Sequence, residues 1–359
     1  MFCCLGDCSH QECHHCFPVK FCKYNHKICN DEASCYDVDL YSSDICVTGC
    51  AGFIGHHVVL RLLEAGHKVW GIDNMNDYYD VSMKERNLAL LTTWPTFNFV
   101  REDVGATDTF RRFKPSHIIH LASMAGVRYS IENPQAYIDN NISAFVHLLE
   151  QAKEYGVTRV VYASSSSVYG MNDKVPFSES DPIEKCNSPY ACSKYAMETF
   201  ARMYEQLYDV DTVGMRFFTV YGPRGRPDMA PHKFLSAIRA GTEIQRFGDG
   251  TSSRDYTYID DIVDGIVGAT FGDRVENFVY NLGNSTPVTL TTFIETCEAV
   301  CGKTANVVEH EMPMGDVPRT YADISLAKRD FDYDPKTSLI DGLSKMEAWL
   351  AERAEEGSK

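Results

Sequence analysis

Apolar and polar positions fall into a regular rhythm from Asp44 onward. Ile45-Cys46-Val47 is a short apolar run closed by Thr48-Gly49, a length that suits a buried strand. Val58, Val59, Leu62 and Leu63 then recur at helical spacing, and Ala65-Gly66 ends the run. A second apolar run from Val69 to Ile72 stops at Asp73. Further strands are expected over 97–101, 116–121, 157–163 and within 207–216, with a long helix over roughly 134–155. Strands alternating with helices predict an α/β chain built on a doubly wound parallel sheet. After Phe217 the rhythm breaks, and 219–228 is rich in turn formers. Shorter elements follow: helices near 231–240, 260–269, 290–301 and 339–351, and a strand over 278–281. The expected organisation is a first domain over 43–219 and a smaller C-terminal α/β domain over 220–359, interleaved with the first.

Residues 1–42 share none of this patterning and are expected to be a disordered appendage. They hold eight of the 14 cysteines, with His10, His14, His15 and His26 among them. Cys13-His14-His15-Cys16 has the short spacing of zinc ligands. No second pair at a standard interval completes it, so no metal site is expected. Cys3-Cys4 is a candidate acylation site for peripheral membrane attachment. The remaining cysteines (Cys46, Cys50, Cys186, Cys192, Cys297, Cys301) are scattered, which suggests reduced thiols and a cytoplasmic setting.

Composition narrows the partners. The 359 residues carry a formal net charge of −16, which disfavours a broad nucleic-acid footprint. No apolar run approaches the ~18 residues of a membrane span.

Gly49-Cys50-Ala51-Gly52-Phe53-Ile54-Gly55 lies between the first strand and the first helix. Glycines at this spacing let the backbone turn sharply and approach a pyrophosphate, whose charge sits at the helix N-terminus. Asp73 ends the second strand 24 positions after Gly49. An acid there binds a ribose diol and repels a 2′-phosphate, so the expected cofactor is NAD. Asp103 ends the third strand, where an acid reaches the adenine amino group or caps a helix. Ala122 ends the fourth with a small side chain, which lets a cofactor lie close.

The candidate chemistry follows the fifth strand. Ser164 to Ser167 lead into Val168-Tyr169-Gly170, and Ser188-Pro189-Tyr190 opens a helix with a good N-cap and proline at its first position. Tyr190 and Lys194 are four apart and share a helix face. An ammonium beside a phenol favours the phenolate, which makes Tyr190 a candidate base. Lowering a tyrosine pKa from about 10 to about 7 takes roughly 4 kcal/mol. One lysine rarely supplies that, so a second positive charge is implied; an oxidised nicotinamide ring would provide it.

These motifs, in this order, resemble the extended short-chain dehydrogenase/reductase family over roughly 44–350, and within it the UDP-glucuronate 4-epimerases. The matching stretches include Gly49 to Gly55, Asp73 to Tyr79, Ala125 to Ser130, Ser164 to Gly170, Tyr190 to Lys194, Arg216 to Pro223, Arg226 to Ala230, Arg254 to Asp261 and Gly315 to Pro318. The resemblance implies a Rossmann-type sheet and NAD-dependent C4 epimerisation of a UDP-sugar, UDP-glucuronate to UDP-galacturonate. It implies Ser165, Tyr190 and Lys194 as catalytic residues. Gly49, Gly52, Phe53, Ile54, Gly55, Asp73, Asp103, Val104, Ala122 and Asn140 would line NAD, together with Tyr190 and Lys194. Arg254 and Asp316 would hold UDP, and Arg226 would meet a phosphate or the sugar carboxylate. Ser166, Ser167 and Thr219 would face the sugar. A homodimer is expected.

Two departures qualify the resemblance. Related dehydratases place Asp-Glu before Val-Tyr-Gly, and related UDP-glucuronate decarboxylases place Glu there; this chain has Ser166 and Ser167. Plant relatives carry a membrane anchor where this chain has its cysteine-rich stretch. The alternatives are a UDP-glucose/UDP-galactose 4-epimerase, a UDP-glucuronate decarboxylase, or a non-catalytic NAD-binding regulator.

Overall fold

The computed structural model describes residues 28–29, 35–36, 44–273, 275–311 and 318–356. Two dipeptide strands, Ile28–Cys29 and Cys35–Tyr36, pair antiparallel. The zinc and acylation candidates at Cys13–Cys16 and Cys3-Cys4, and Asp316, lie outside the described residues. One compact unit spans Asp44–Lys359.

Its main sheet begins with β1 (Ile45–Thr48), β2 (Val69–Ile72), β3 (Phe97–Val100), β4 (His117–His120), β5 (Arg159–Ser165) and β6 (Thr212–Phe217). After the short strands β7 (Thr219–Tyr221), β8 (Glu243–Phe247) and β9 (Ser253–Tyr258), β10 (Val279–Leu282) returns to the main sheet. The order is β10-β6-β5-β4-β1-β2-β3, with every pairing parallel. A parallel sheet is covered on both faces, and β1 shows it. Ile45 and Val47 point into one apolar layer and Cys46 into the other. Val161 and Ala163 of β5 divide from Val160 and Tyr162 in the same way.

Helices α1 (Phe53–Glu64), α2 (Val81–Leu91), α3 (Ala144–Tyr155) and α4 (Pro189–Tyr208) connect the strands. Helix α1 packs through Val58, Val59, Leu62 and Leu63, each at most 2% exposed; full burial of such a side chain contributes roughly 1.5–3 kcal/mol. Strand order reverses between β1 and β4, which opens a crevice at the carboxyl ends of the strands.

The helix expected over 134–155 is not continuous. Pro134–Tyr137 is α-helical, Ile138–Ser143 is a π-helical turn, and α3 follows. The wide turn brings Asn141 inward. It is fully buried, accepts from Met124 N (2.7 Å) and donates to Met124 O and Ser193 Oγ (2.9 Å each). The turn-rich stretch after Phe217 is also more ordered than its composition suggests, because Thr219–Tyr221 pairs parallel with Tyr256–Tyr258. Strand β11 (Pro287–Thr289) completes that three-stranded sheet, and β12 (Asn306–His310) pairs with β8. Helices α5 (Ala230–Ala240), α6 (Ile259–Phe271), α7 (Leu290–Cys301), α8 (Ser325–Phe331) and α9 (Leu339–Glu356) fill the C-terminal part.

Candidate active site

A cleft of about 470 Å³ lies at the carboxyl ends of the main strands. Asp73, Asp103, Ser165, Tyr190, Thr219 and Arg226 all reach its wall.

One half is built by the β1–α1 turn. Gly49 has φ +71°, and a Cβ there would stand 2.8 Å from Ala122 N. A Cβ on Gly55 would stand 2.0 Å from the Gly49 carbonyl. Both positions therefore require glycine. Asp73 is buried at the end of β2 and ties this turn down: one oxygen accepts from Ala51 N (3.1 Å), the other from Met75 N (2.8 Å). Asp103 is exposed, accepting from Asn74 Nδ2 and Gly105 N (2.8 Å each). Gly52, Phe53, Ile54, Val104, Ala122 and Asn140 line the same half. The Asn140 amide donates to Ala136 O (2.8 Å). A glycine cradle at a helix N-terminus, an acid ending β2 and small side chains opposite fit a dinucleotide.

The other half carries the candidate chemistry. Ser188 caps α4 by accepting from Ala191 N (3.2 Å), and Pro189 opens the helix. This sets Tyr190 in the first turn, facing Ser165 at the end of β5. Ser165 in turn accepts from Ser167 N (3.1 Å) and caps the 3-10 turn Ser166–Tyr169. Burial raises the Tyr190 pKa, while a hydrogen bond with Ser165 and the Arg226 charge oppose the rise. Lys194 is buried, and its ammonium donates to Ser123 Oγ (2.8 Å) and to Ala163 O (2.7 Å). Desolvation brings its pKa down to about 7, against the pull of Glu198. The helical spacing alone suggests that Lys194 lowers Tyr190. In the structure those contributions come from Ser165 and Arg226, and in this state burial outweighs them.

Ser166, Ser167 and Thr219 line the cleft, and none of their hydroxyls has a hydrogen-bond partner among the described residues. Arg226 is half-buried. It is paired with Asp228 (Nε to Oδ1, 2.9 Å) and lies 5.3 Å from the Tyr78 ring centre. Arg254 sits on β9 and is not part of the cleft wall; its guanidinium donates to Ser253 O (2.9 Å).

The NAD dependent epimerase/dehydratase family matches this chain over residues 45–283. The chain belongs to that family. A probable UDP-glucuronate 4-epimerase of Rhizobium meliloti is 42% identical over 327 residues, covering 84% of this chain and 95% of its own. The UDP-glucuronic acid 4-epimerase of Bacillus cereus, solved with UDP-glucuronic acid and NAD, is 34% identical with a TM-score of 0.81. That match covers 86% of this chain and 99% of the Bacillus chain. A UDP-glucose 4-epimerase of Thermotoga maritima, solved with UDP-glucose, is 30% identical with a TM-score of 0.80, over 87% and 99% of the two chains.

In this member of the epimerase/dehydratase family, motif reading passes over two buried charged residues near the site's supporting elements. Lys84, buried beside Asp73 at 3.8 Å, donates to Asn76 O (3.0 Å) and Asn76 Oδ1 (2.9 Å). Asp255, beside Arg254 in its motif, is fully buried and accepts from Asn284, Ser285 and Ala322 backbone nitrogens (2.7–3.0 Å). Both sit in mixed-charge stretches, Lys84-Glu85-Arg86 and Arg254-Asp255, with no periodicity to mark them as buried. Asp73 ends β2, where an acid disfavours a 2′-phosphate. After the protein is stripped of nucleotide, a binding titration is expected to show NAD held at least about tenfold more tightly than NADP, ~1.4 kcal/mol. Equal affinities would contradict this role of Asp73.

Proposed function

We propose that this chain inverts C4 of a UDP-sugar in an NAD-dependent reaction, converting UDP-glucuronate to UDP-galacturonate through a 4-keto intermediate. The observation that carries the reading is the Tyr190 phenol on the cleft wall, bonded to Ser165 and within the field of Arg226. NAD held by the β1–α1 turn would supply a reversible acceptor for the hydrogen and electron pair leaving C4, and a positive charge in the site. Tyr190 takes the 4-hydroxyl proton and returns it. Ser165 orients that hydroxyl, and Lys194 contributes positive charge from beneath. Residues 43–219 hold NAD, with Asp73 at the ribose. Residues 220–359 supply the UDP handle, with Arg254 at the pyrophosphate and Asp316 at the uridine ribose. Held by its nucleotide, the ketone stays in the site while the sugar turns its other face.

The carboxylate reading rests on this chain's own side chains. Arg226 reaches Tyr190 electrostatically, which puts its charge at the reacting end of the cleft. Ser166 and Ser167 stand where dehydratases carry acids, so no side chain there expels water.

Purified protein is to be incubated separately with UDP-glucuronate and UDP-glucose, and the products resolved by chromatography. UDP-galacturonate from the first at a rate well above UDP-galactose from the second is expected. The reverse order would replace glucuronate with a neutral sugar. A UDP-pentose as main product would indicate decarboxylation. A cytoplasmic homodimer accompanies the proposal, and light scattering checks the dimer. Among the described residues no helix is long and apolar enough to cross a membrane.

A further inference from the structure

Beneath the cleft floor lies a buried charged network that the steps above do not use. Glu198 follows Lys194 by four residues on α4, so both project from one helix face. Glu198 is 7% exposed, and its carboxylate accepts three hydrogen bonds from two side chains. Arg216 of β6 donates through Nε to Oε1 (2.9 Å) and through Nη2 to Oε2 (2.7 Å), and Ser164 of β5 donates to Oε1 (2.5 Å). Arg216 is held in turn by the Tyr169 hydroxyl (2.9 Å), which donates to Asn281 Oδ1 (2.7 Å). The network thus spans β5, β6, β10 and α4, and Ser164 precedes the catalytic serine. Lys194 makes its own bonds to neutral acceptors, Ser123 and Ala163, and ion-pairs with no carboxylate among the described residues.

We propose that Glu198 is a positioning residue of the reaction: clamped by Arg216 and Ser164, its carboxylate is the counter-charge that keeps buried Lys194 an ammonium beneath Tyr190. A single buried ion pair with bidentate geometry would hold strands together equally well anywhere in the core. What distinguishes this pair is its place one helical turn beyond Lys194. The groups facing Lys194 agree. His120 on β4 is fully buried and held neutral, its pKa brought down to about 3 by burial and by Lys194 itself. Tyr190 lies one turn away on the same helix, and Arg216 is already bonded to Glu198. Glu198 is the group that raises the Lys194 pKa against desolvation.

The consequence is a specific pH signature, and it rests on Tyr190 acting as the base. Tyr190 and Lys194 together hold two protons at low pH. After one is lost, the pair is divided between phenol with neutral amine and phenolate with ammonium, and the second form is the active one. Removing the charge of Glu198 makes it easier for Lys194 to lose its proton. The acid limb of kcat therefore moves to lower pH, and the active form becomes scarcer by the same factor.

The test is the kcat–pH profile of Glu198→Gln against wild type, with saturating UDP-sugar and NAD. The acid limb is expected to move down by about half a pH unit or more, and the plateau to fall by about threefold or more. A lower kcat with an unmoved limb would reduce Glu198 to a structural role and overturn the proposal. Because Glu198→Gln leaves Arg216 buried without its carboxylate, Glu198→Gln/Arg216→Met is measured in parallel. A limb moved down in whichever variant folds supports the proposal, and a limb in the wild-type position overturns it. Wild type with no turnover of either UDP-sugar would instead refute the epimerase reading.

Discussion

Tyr190→Phe is expected to lower kcat at least about a thousandfold while leaving NAD and UDP affinity within a factor of a few. The substitution removes one oxygen and keeps the ring, so packing against Tyr137, 6.0 Å away between ring centres, is retained. Among the described residues, the two side chains closest to the role do not replace the lost group. Ser165 is bonded to Tyr190 and to Ser167 N, and its hydroxyl is a far weaker base than a phenolate. Lys194 points down to Ser123 and Ala163. General base catalysis by a positioned side chain contributes roughly a hundredfold to ten-thousandfold, and in the proposed reaction both proton removal and proton return pass through the same oxygen. Product separation after long incubation gives the rate; absorbance of bound nucleotide and a UDP titration give the affinities. Activity within tenfold of wild type would exclude Tyr190 as the base.

The glycine-lined half of the cleft was legible in sequence because its parts are local. Three glycines, an amphipathic run and an acid at a fixed interval define a strand–turn–helix–strand unit within 30 residues, and Gly55 has room for no other side chain. The helix that carries Tyr190 and Lys194 was legible for the same reason, since Ser188, Pro189, Tyr190 and Lys194 fall within seven positions. What escaped were elements defined by distant partners. Thr219–Tyr221 reads as turn-forming sequence and becomes a strand because Tyr256–Tyr258 lies beside it. Asn141 sits in an apparently continuous helix, and only its bonds to Met124 and Ser193 explain the π-helical turn. Glu198 and Lys84 look like surface charges on amphipathic helices until Arg216 and Asp73 arrive from strands elsewhere in the chain. The tyrosine's pKa belongs to this class as well, because it depends on Arg226, 36 positions away.

Thr219→Val is expected to weaken UDP-glucuronate binding and to divert part of the flux to a UDP-pentose. Oxidising C4 of a glucuronate creates a β-keto acid, which loses CO2 when the C5–C6 bond stands perpendicular to the ketone plane. An epimerase must hold the carboxylate out of that geometry, and in polar surroundings, since an apolar site disfavours the charge and promotes its loss. Thr219 opens β7, and its backbone is fixed by register with Tyr256. Its half-buried hydroxyl lines the cleft without a partner among the described residues, as do those of Ser166 and Ser167. Hydroxyls that merely satisfied strand-end backbone groups would be bonded to them. A charge-assisted hydrogen bond contributes roughly 1.5–3 kcal/mol, so its removal corresponds to about a tenfold to hundredfold loss of affinity. Valine is close in size, so NAD binding is expected to be unchanged, and UDP-glucose, which has no carboxylate, serves as the control ligand. Mass spectrometry of the reaction mixture detects the pentose. If Thr219→Val epimerises UDP-glucuronate at the wild-type rate with no pentose formed, Thr219 does not hold the carboxylate, and the anchoring falls to Arg226 with Ser166 and Ser167.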